Sequence, residues 1–70
     1  MKKTIFEYEE EGKTKSHEVD FIYESNVDNY VRFTDGPKMI ITEIIDEFTD
    51  NPDVQIRHIS LTQREGVFII

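Results

Sequence analysis

The sequence predicts an α+β fold, in which one helix packs on one face of an antiparallel or mixed sheet of four to five strands. Three observations lead to this class. Apolar residues alternate with period two before residue 35, a segment after Pro37 repeats at helical spacing, and period two returns after Pro52. The predicted order is β-β-(β)-α-β-β, within a single α+β domain that spans residues 1–70.

The first two predicted strands, within residues 3–23, form a hairpin around Gly12. The hydrophobic pattern favours a register in which Phe6 faces His17 and Thr4 faces Val19, because a one-residue slip would mix apolar and acidic faces. Gly12 is expected to take the left-handed position of the turn, where glycine has no steric cost. The outer face of this hairpin then carries four acids, which are Glu7, Glu9, Glu18 and Asp20. A short strand is predicted at residues 30–34.

The helix is predicted over residues 37–50. Asp35 is a candidate N-cap, Pro37 suits the first turn, and Asn51-Pro52 ends the pattern. At about 100° per residue, one apolar stripe faces the sheet. That stripe consists of Ile40, Ile41, Ile44, Ile45 and Phe48. The far side of the helix carries Met39, Glu43, Asp46, Glu47 and Asp50.

This acidic helix face breaks several local rules. Like charges four residues apart destabilise a helix, and acids in the last turns oppose its dipole. Because uncompensated violations often mark functional sites, we interpret the face as a docking surface for a basic partner. Met39 would be its adaptable apolar contact. The alternative is an ordinary solvated helix face.

The charge balance narrows the class of partner. Fifteen Asp and Glu oppose eight Lys and Arg, for a formal net charge of −7. Direct binding to nucleic acid or to an anionic membrane is therefore disfavoured, and a larger protein with a basic surface is favoured. Carboxylates on alternate strand residues lie about 6.6 Å apart. Since two phosphate steps advance about 6.8 Å, the hairpin acids are a candidate DNA mimic; a solvated sheet face is the alternative.

No catalytic, cofactor or metal site is predicted, and the protein is not expected to be an enzyme. His17 and His58 lie in no catalytic motif, and we expect His17 to be partly buried beside Phe6. The chain has no cysteine, which excludes disulfides and Cys-ligated metals. The acidic spacing around Asp28 is only distantly similar to a calcium loop, since Asn29 replaces the required glycine.

A second hairpin is predicted, with strands at residues 54–62 and 67–70. Its last strand is apolar on both faces, and consists of Val67, Phe68, Ile69 and Ile70. One helix covers one face only, so a homodimer across a two-fold axis is a hypothesis, with coverage by the chain's own loops as the alternative.

The sequence therefore predicts a regulator or inhibitor that binds a basic-surfaced protein, such as a nucleic-acid-binding protein. Small acidic chains without motifs are often phage-encoded; this expectation comes from the class of protein and not from particular residues. The alternative function is an oligomeric small-ligand-binding protein, with Tyr23, Tyr30 and Phe33 lining a pocket between subunits. A cytoplasmic location is expected, because no apolar stretch approaches the roughly 18 residues of a membrane span.

Overall fold

A computed structural model describes residues 1–34, 36 and 38–63. Within them the chain forms one five-stranded sheet and no helix. The strands are β1 (Lys2–Glu10), β2 (Lys13–Val19), β3 (Tyr30–Arg32), β4 (Lys38–Phe48) and β5 (Gln55–Gln63). Their order is β2-β1-β5-β4-β3. The central strands β1 and β5 are parallel, and the other neighbouring strands are antiparallel.

The first hairpin forms as predicted. Thr4 pairs with Val19 and Phe6 with His17, which confirms the register selected by the hydrophobic pattern. Glu11 and Gly12 have φ values of 53° and 77°, so two left-handed residues close the turn and glycine lies where it was expected. However, β2 ends at Val19, four residues before the predicted end of that strand.

The other predicted strands have mixed outcomes. The structure confirms a short third strand, β3, and a strand after residue 54, β5. The predicted strand at residues 67–70 lies outside the described residues, as do Asp35 and Pro37. The homodimer hypothesis, which rests on residues 67–70, therefore stays a prediction.

The predicted helix is wrong, and with it the α+β class, because residues 38–48 form the long strand β4. β-branched residues, which pack well on a pleated surface, make up five of its eleven residues. The acids that would destabilise a helix are tolerated here. On a strand, residues four apart such as Glu43 and Glu47 lie about 13 Å from each other.

A β-bulge at Thr42 explains why β4 has apolar residues at apparent helical spacing. Ile41 pairs with Leu61 and Glu43 pairs with Ser60, so Thr42 is the extra residue. Across the bulge, Ile41 and Ile44 fall on one face of the sheet although they are three residues apart. A strict period-two strand would place them on opposite faces.

The hydrophobic core lies on one face of the sheet. Its buried side chains are Phe6, Val31, Met39, Ile41, Ile59 and Leu61. Residues 20–29, which we call the covering segment, connect the edge strands β2 and β3 and pass over this face. Tyr23 of this segment and Phe33 pack edge-on against Phe6, with ring centroids 5.2 and 5.4 Å away. The covering segment, which is irregular, therefore covers the face of the sheet against which the predicted helix was expected to pack.

Two side chains that are neighbours on β1 and β5 hold the covering segment. The hydroxyl of Thr4, which is fully buried, donates to the Phe21 carbonyl at 2.7 Å and accepts from the Tyr23 N–H at 2.8 Å. Arg57 donates to the Tyr23 carbonyl at 3.0 Å. The same guanidinium binds both carboxylate oxygens of Asp46, at 2.7 and 3.0 Å.

Replacing Thr4 with valine tests this attachment. Valine has nearly the same shape but no hydroxyl, so the Phe21 carbonyl and the Tyr23 N–H lose that partner. We expect the free energy of unfolding, measured in urea, to fall by about 1–3 kcal/mol. Thr4→Ser keeps the hydroxyl and should lose only about 1 kcal/mol for the missing methyl. A valine variant more stable than the serine variant would contradict the role of the hydrogen bonds.

The ion pair predicts a specific response to acid. The hydrogen bond from Arg57 lowers the pKa of Asp46 below its ordinary value of 3.8. A carboxyl with a lowered native pKa stabilises the fold above its unfolded pKa, and this contribution is lost as the pH falls through the native value. Asp46→Asn should therefore be less stable by about 1 kcal/mol near neutral pH.

The stability difference between Asp46→Asn and the wild type should shrink once the pH drops below about 4. Urea unfolding followed from neutral pH to about pH 2 measures it. Asp50→Asn, in the turn between β4 and β5, is the matched control and should follow the wild-type curve. A difference for Asp46→Asn that stays constant over the whole pH range would show that the carboxylate charge is not responsible.

Candidate functional site

The face of the sheet opposite the core is accessible to solvent and carries a regular array of side chains. Register and alternation place nine of them together on the three central strands, and we call this set the open face. Its residues are Lys3, Ile5 and Glu7 on β1, Ile56, His58 and Ser60 on β5, and Glu43, Ile45 and Glu47 on β4. Ile45 is 51% exposed, while Ile5 and Ile56 are partly buried.

Three isoleucines form an apolar triangle in this array. Ile5 and Ile45 flank His58 on neighbouring strands, and Ile56 lies two residues before His58 on β5. Neighbouring strands are about 4.8 Å apart, so the triangle spans about 10 Å across the sheet. A solvated sheet face normally alternates to polar residues. Three isoleucines around one histidine on this face are therefore a candidate contact surface.

Carboxylates flank the triangle on both sides. Glu7 on β1 and Glu18 on β2 lie on one side, and Glu43 and Glu47 on β4 lie on the other. All four residues are exposed. Lys3 is the single Lys or Arg in the array, and its Nζ lies 3.4 Å from a Glu18 carboxylate oxygen. The open face therefore combines three isoleucines with net negative charge.

His58 lies at the centre of the array and contacts acids from both flanks. Its Nε2 is 2.9 Å from Glu47 Oε1, and its Nδ1 is 3.9 Å from Glu7 Oε1. The imidazole thus bridges β4 and β1 across β5. Within the described residues, no group of three or more His, Asp or Glu is arranged to hold a metal ion.

The structure separates the residues assigned to the predicted acidic helix face. Glu43 and Glu47 lie on the open face, whereas Asp46 points to the core face, where it pairs with Arg57. Asp50 lies beyond β4, in the turn to β5. Met39 is fully buried in the core, so its predicted role as an exposed contact is wrong. A single surface made of all these residues does not exist.

The hairpin acids lie largely where the sequence placed them. Glu7, Glu9 and Glu18 share one face of the β1–β2 hairpin, and Asp20 follows the end of β2. Sequence reasoning treated this hairpin face and the acids of β4 as two separate surfaces. In the sheet, Glu7 and Glu18 lie on the same face as Glu43 and Glu47.

The apolar triangle and the place of His58 were missed by sequence reasoning. One signal was available for Ile45, which alternates with Glu43 and Glu47 once residues 38–48 are read as a strand rich in β-branched residues. No local pattern indicated that Ile5 and Ile56 would become its neighbours, because that depends on the parallel pairing of β1 with β5.

The aromatic residues proposed to line a pocket lie on opposite faces of the sheet. Tyr23 and Phe33 pack on the core side, while Tyr30 lies on the other side, with Lys38 Nζ 4.5 Å from its ring centroid. The structure also places His17 differently from the prediction. Its ring packs 4.6 Å from that of Phe33, but the residue is exposed rather than partly buried.

A groove of about 410 Å³ adjoins the open face. It lies where β1 and β5 continue past Glu7 and Ser60, their last paired residues. Its lining is rich in hydroxyls, contributed by Thr14, Thr42, Ser60 and Thr62. Because Glu7 and Ser60 also line the groove, the accessible polar surface extends from the array towards the hairpin turn.

No helix in residues 1–34, 36 and 38–63 is long and apolar enough to cross a membrane. Comparison of the chain with protein-family models, curated proteins and solved structures finds no match. The function is therefore inferred from the geometry and charge of the open face.

Proposed function

We propose that this protein is a small interaction module that binds the basic surface of a larger protein through its open face and thereby regulates or inhibits that protein. The observation that carries the proposal is that isoleucines and carboxylates lie together on one face of the sheet. Ile5 and Ile45 lie on β1 and β4 together with the carboxylates of those strands, and Ile56 lies on β5 between them. A reducing cytoplasm is the compartment we propose, which suits a chain without cysteine.

The isoleucines and the carboxylates of the open face have different roles in binding. Burying the isoleucines would contribute affinity at about 25 cal/mol per Å² of apolar surface. The surrounding carboxylates would steer a basic partner and reject acidic ones, with an effect that weakens as salt increases. Apolar and polar contacts of this kind occur together in protein–protein interfaces.

The arrangement of isoleucines and carboxylates on the open face also bears on the hypothesis of DNA mimicry. A phosphate mimic presents carboxylates in a continuous row, whereas here Ile45 separates Glu43 from Glu47 along β4, and β5 places no acid between β1 and β4. The arrangement favours a mixed apolar and electrostatic contact over imitation of phosphates alone. A nucleic-acid-binding protein remains one class of basic partner that fits, because such proteins carry the basic surfaces that bind phosphates.

A second candidate function is the binding of a small polar ligand in the groove between β1 and β5. The volume of about 410 Å³ and the hydroxyl-rich lining favour this candidate. A pocket built jointly from Tyr23, Tyr30 and Phe33 is not favoured, since these residues lie on opposite faces. Native mass spectrometry of the purified protein would detect a retained ligand.

Charge reversal on the open face tests the main proposal. The double variant Glu7→Lys/Glu47→Lys places cations on both flanks of the triangle and should repel a basic partner. We expect capture of basic proteins from a cell lysate at low salt to fall about tenfold or more. Wild-type capture should itself decrease as the salt concentration rises.

The control is Asp50→Lys/Asp53→Lys, which changes the net charge by the same amount in the turn between β4 and β5. It should capture the same basic proteins as the wild type. Urea unfolding checks that both double variants are folded. If the two variants lose binding equally, net charge rather than the open face is responsible; if neither loses binding, the proposed function is wrong.

A further inference from the structure

We infer that the partner presents a basic amphipathic helix, which lies across the open face over β5. This inference rests on the proposed function and specifies the form of the partner. In the part of the chain that the structure describes, residues 20–29 cover one face of the sheet, and the other face carries the apolar triangle of Ile5, Ile45 and Ile56. The partner's helix would complete a second layer on this face, since an apolar sheet face is stabilised by packing against another element.

The dimensions of the array fit one helix. Three strands place the outer columns of side chains about 10 Å apart, and an α-helix with its side chains is about 10–12 Å wide. Along β5, the distance from Ile56 to Ser60 is about 13 Å, which corresponds to roughly two and a half helical turns. His58 lies at the centre, so the helix axis would pass above it.

The charges specify the rest of the pattern. Glu7 follows Ile5 on β1 and Glu18 lies beside Ile5 on β2, while Glu43 and Glu47 lie before and after Ile45 on β4. A complementary helix therefore has apolar residues at i, i+3, i+4 and i+7, with lysine or arginine on both borders of that stripe. Its cations would meet carboxylates on both sides while its apolar stripe covers Ile5, Ile45 and Ile56.

Two other occupants fit the surface less well. An extended peptide binds by adding to the edge of a sheet, whereas the open face lies on the three central strands. A second copy of the chain, packed open face to open face, would bring acidic flanks against acidic flanks. Like charges at close range oppose such a dimer.

Three synthetic peptides with identical composition, rich in leucine and lysine, provide the test. One has the helical pattern described above, the second has a scrambled order without an amphipathic face, and the third alternates apolar and basic residues as a strand would. Fluorescence anisotropy measures the binding of each labelled peptide to the full chain. We expect the helical peptide to bind about tenfold or more tightly than the other two.

Matched variants locate the contact. Ile45→Asn should weaken binding of the helical peptide about tenfold. Phe48→Asn is the control, because Phe48 is also exposed and lies on β4, but on the opposite face. Both residues are more than half exposed, so both variants should fold. If Ile45→Asn has no effect, the helix does not bind at the triangle and the inference is wrong.

The outcomes separate this inference from the proposed function. If all three peptides bind equally, and Glu7→Lys/Glu47→Lys abolishes the binding of all three, the inferred helix is wrong while the proposal of a basic partner stands. Tightest binding by the alternating peptide would indicate a strand and would also overturn it. If no peptide binds and charge reversal leaves the capture of basic proteins unchanged, both fail. A wild-type dimer that Ile45→Asn dissociates would identify a second copy as the occupant instead.

Discussion

Hydrogen bonds of Thr4 and Arg57 with residues 21–23 hold the covering segment over the hydrophobic core. An irregular segment can cover a hydrophobic core only if its backbone N–H and C=O groups find partners, because unpaired buried polar groups are costly. Thr4 donates to the Phe21 carbonyl and accepts from the Tyr23 N–H, and Arg57 donates to the Tyr23 carbonyl. Two adjacent polar side chains in the sheet thus allow a segment without regular structure to act as the second layer.

That arrangement has a consequence for function. A 70-residue chain buries a small fraction of its surface compared with a larger domain, and here the core lies on one face of the sheet. The other face keeps Ile5, Ile45 and Ile56 accessible. The covering segment stabilises the fold from the core side, so the open face is available for binding without disrupting the core.

The bulge at Thr42 determines the composition of both faces at once. It puts Asp46 on the core side, within reach of Arg57, and it puts Ile45 on the open face between Glu43 and Glu47. Without the extra residue, the period of two would exchange these side chains between faces. A single inserted residue therefore places Asp46 beside Arg57 and places Ile45 on the candidate binding surface.

The sequence alone predicts the hairpin register, the turn at Gly12, and the strands β3 and β5, because strict alternation and glycine's freedom at positive φ are local properties. It also determined the acidic charge. The acids of β4 are unfavourable in a helix, so the feature interpreted as a functional signal was evidence against the helix. The sequence does not show that residues 38–48 form a bulged strand, because the apolar spacing of such a strand resembles helical spacing. The bulge is set by the pairing of β4 with β5 in the folded sheet. Parallel pairing of β1 with β5, across about fifty residues of chain, then decided which side chains share the open face.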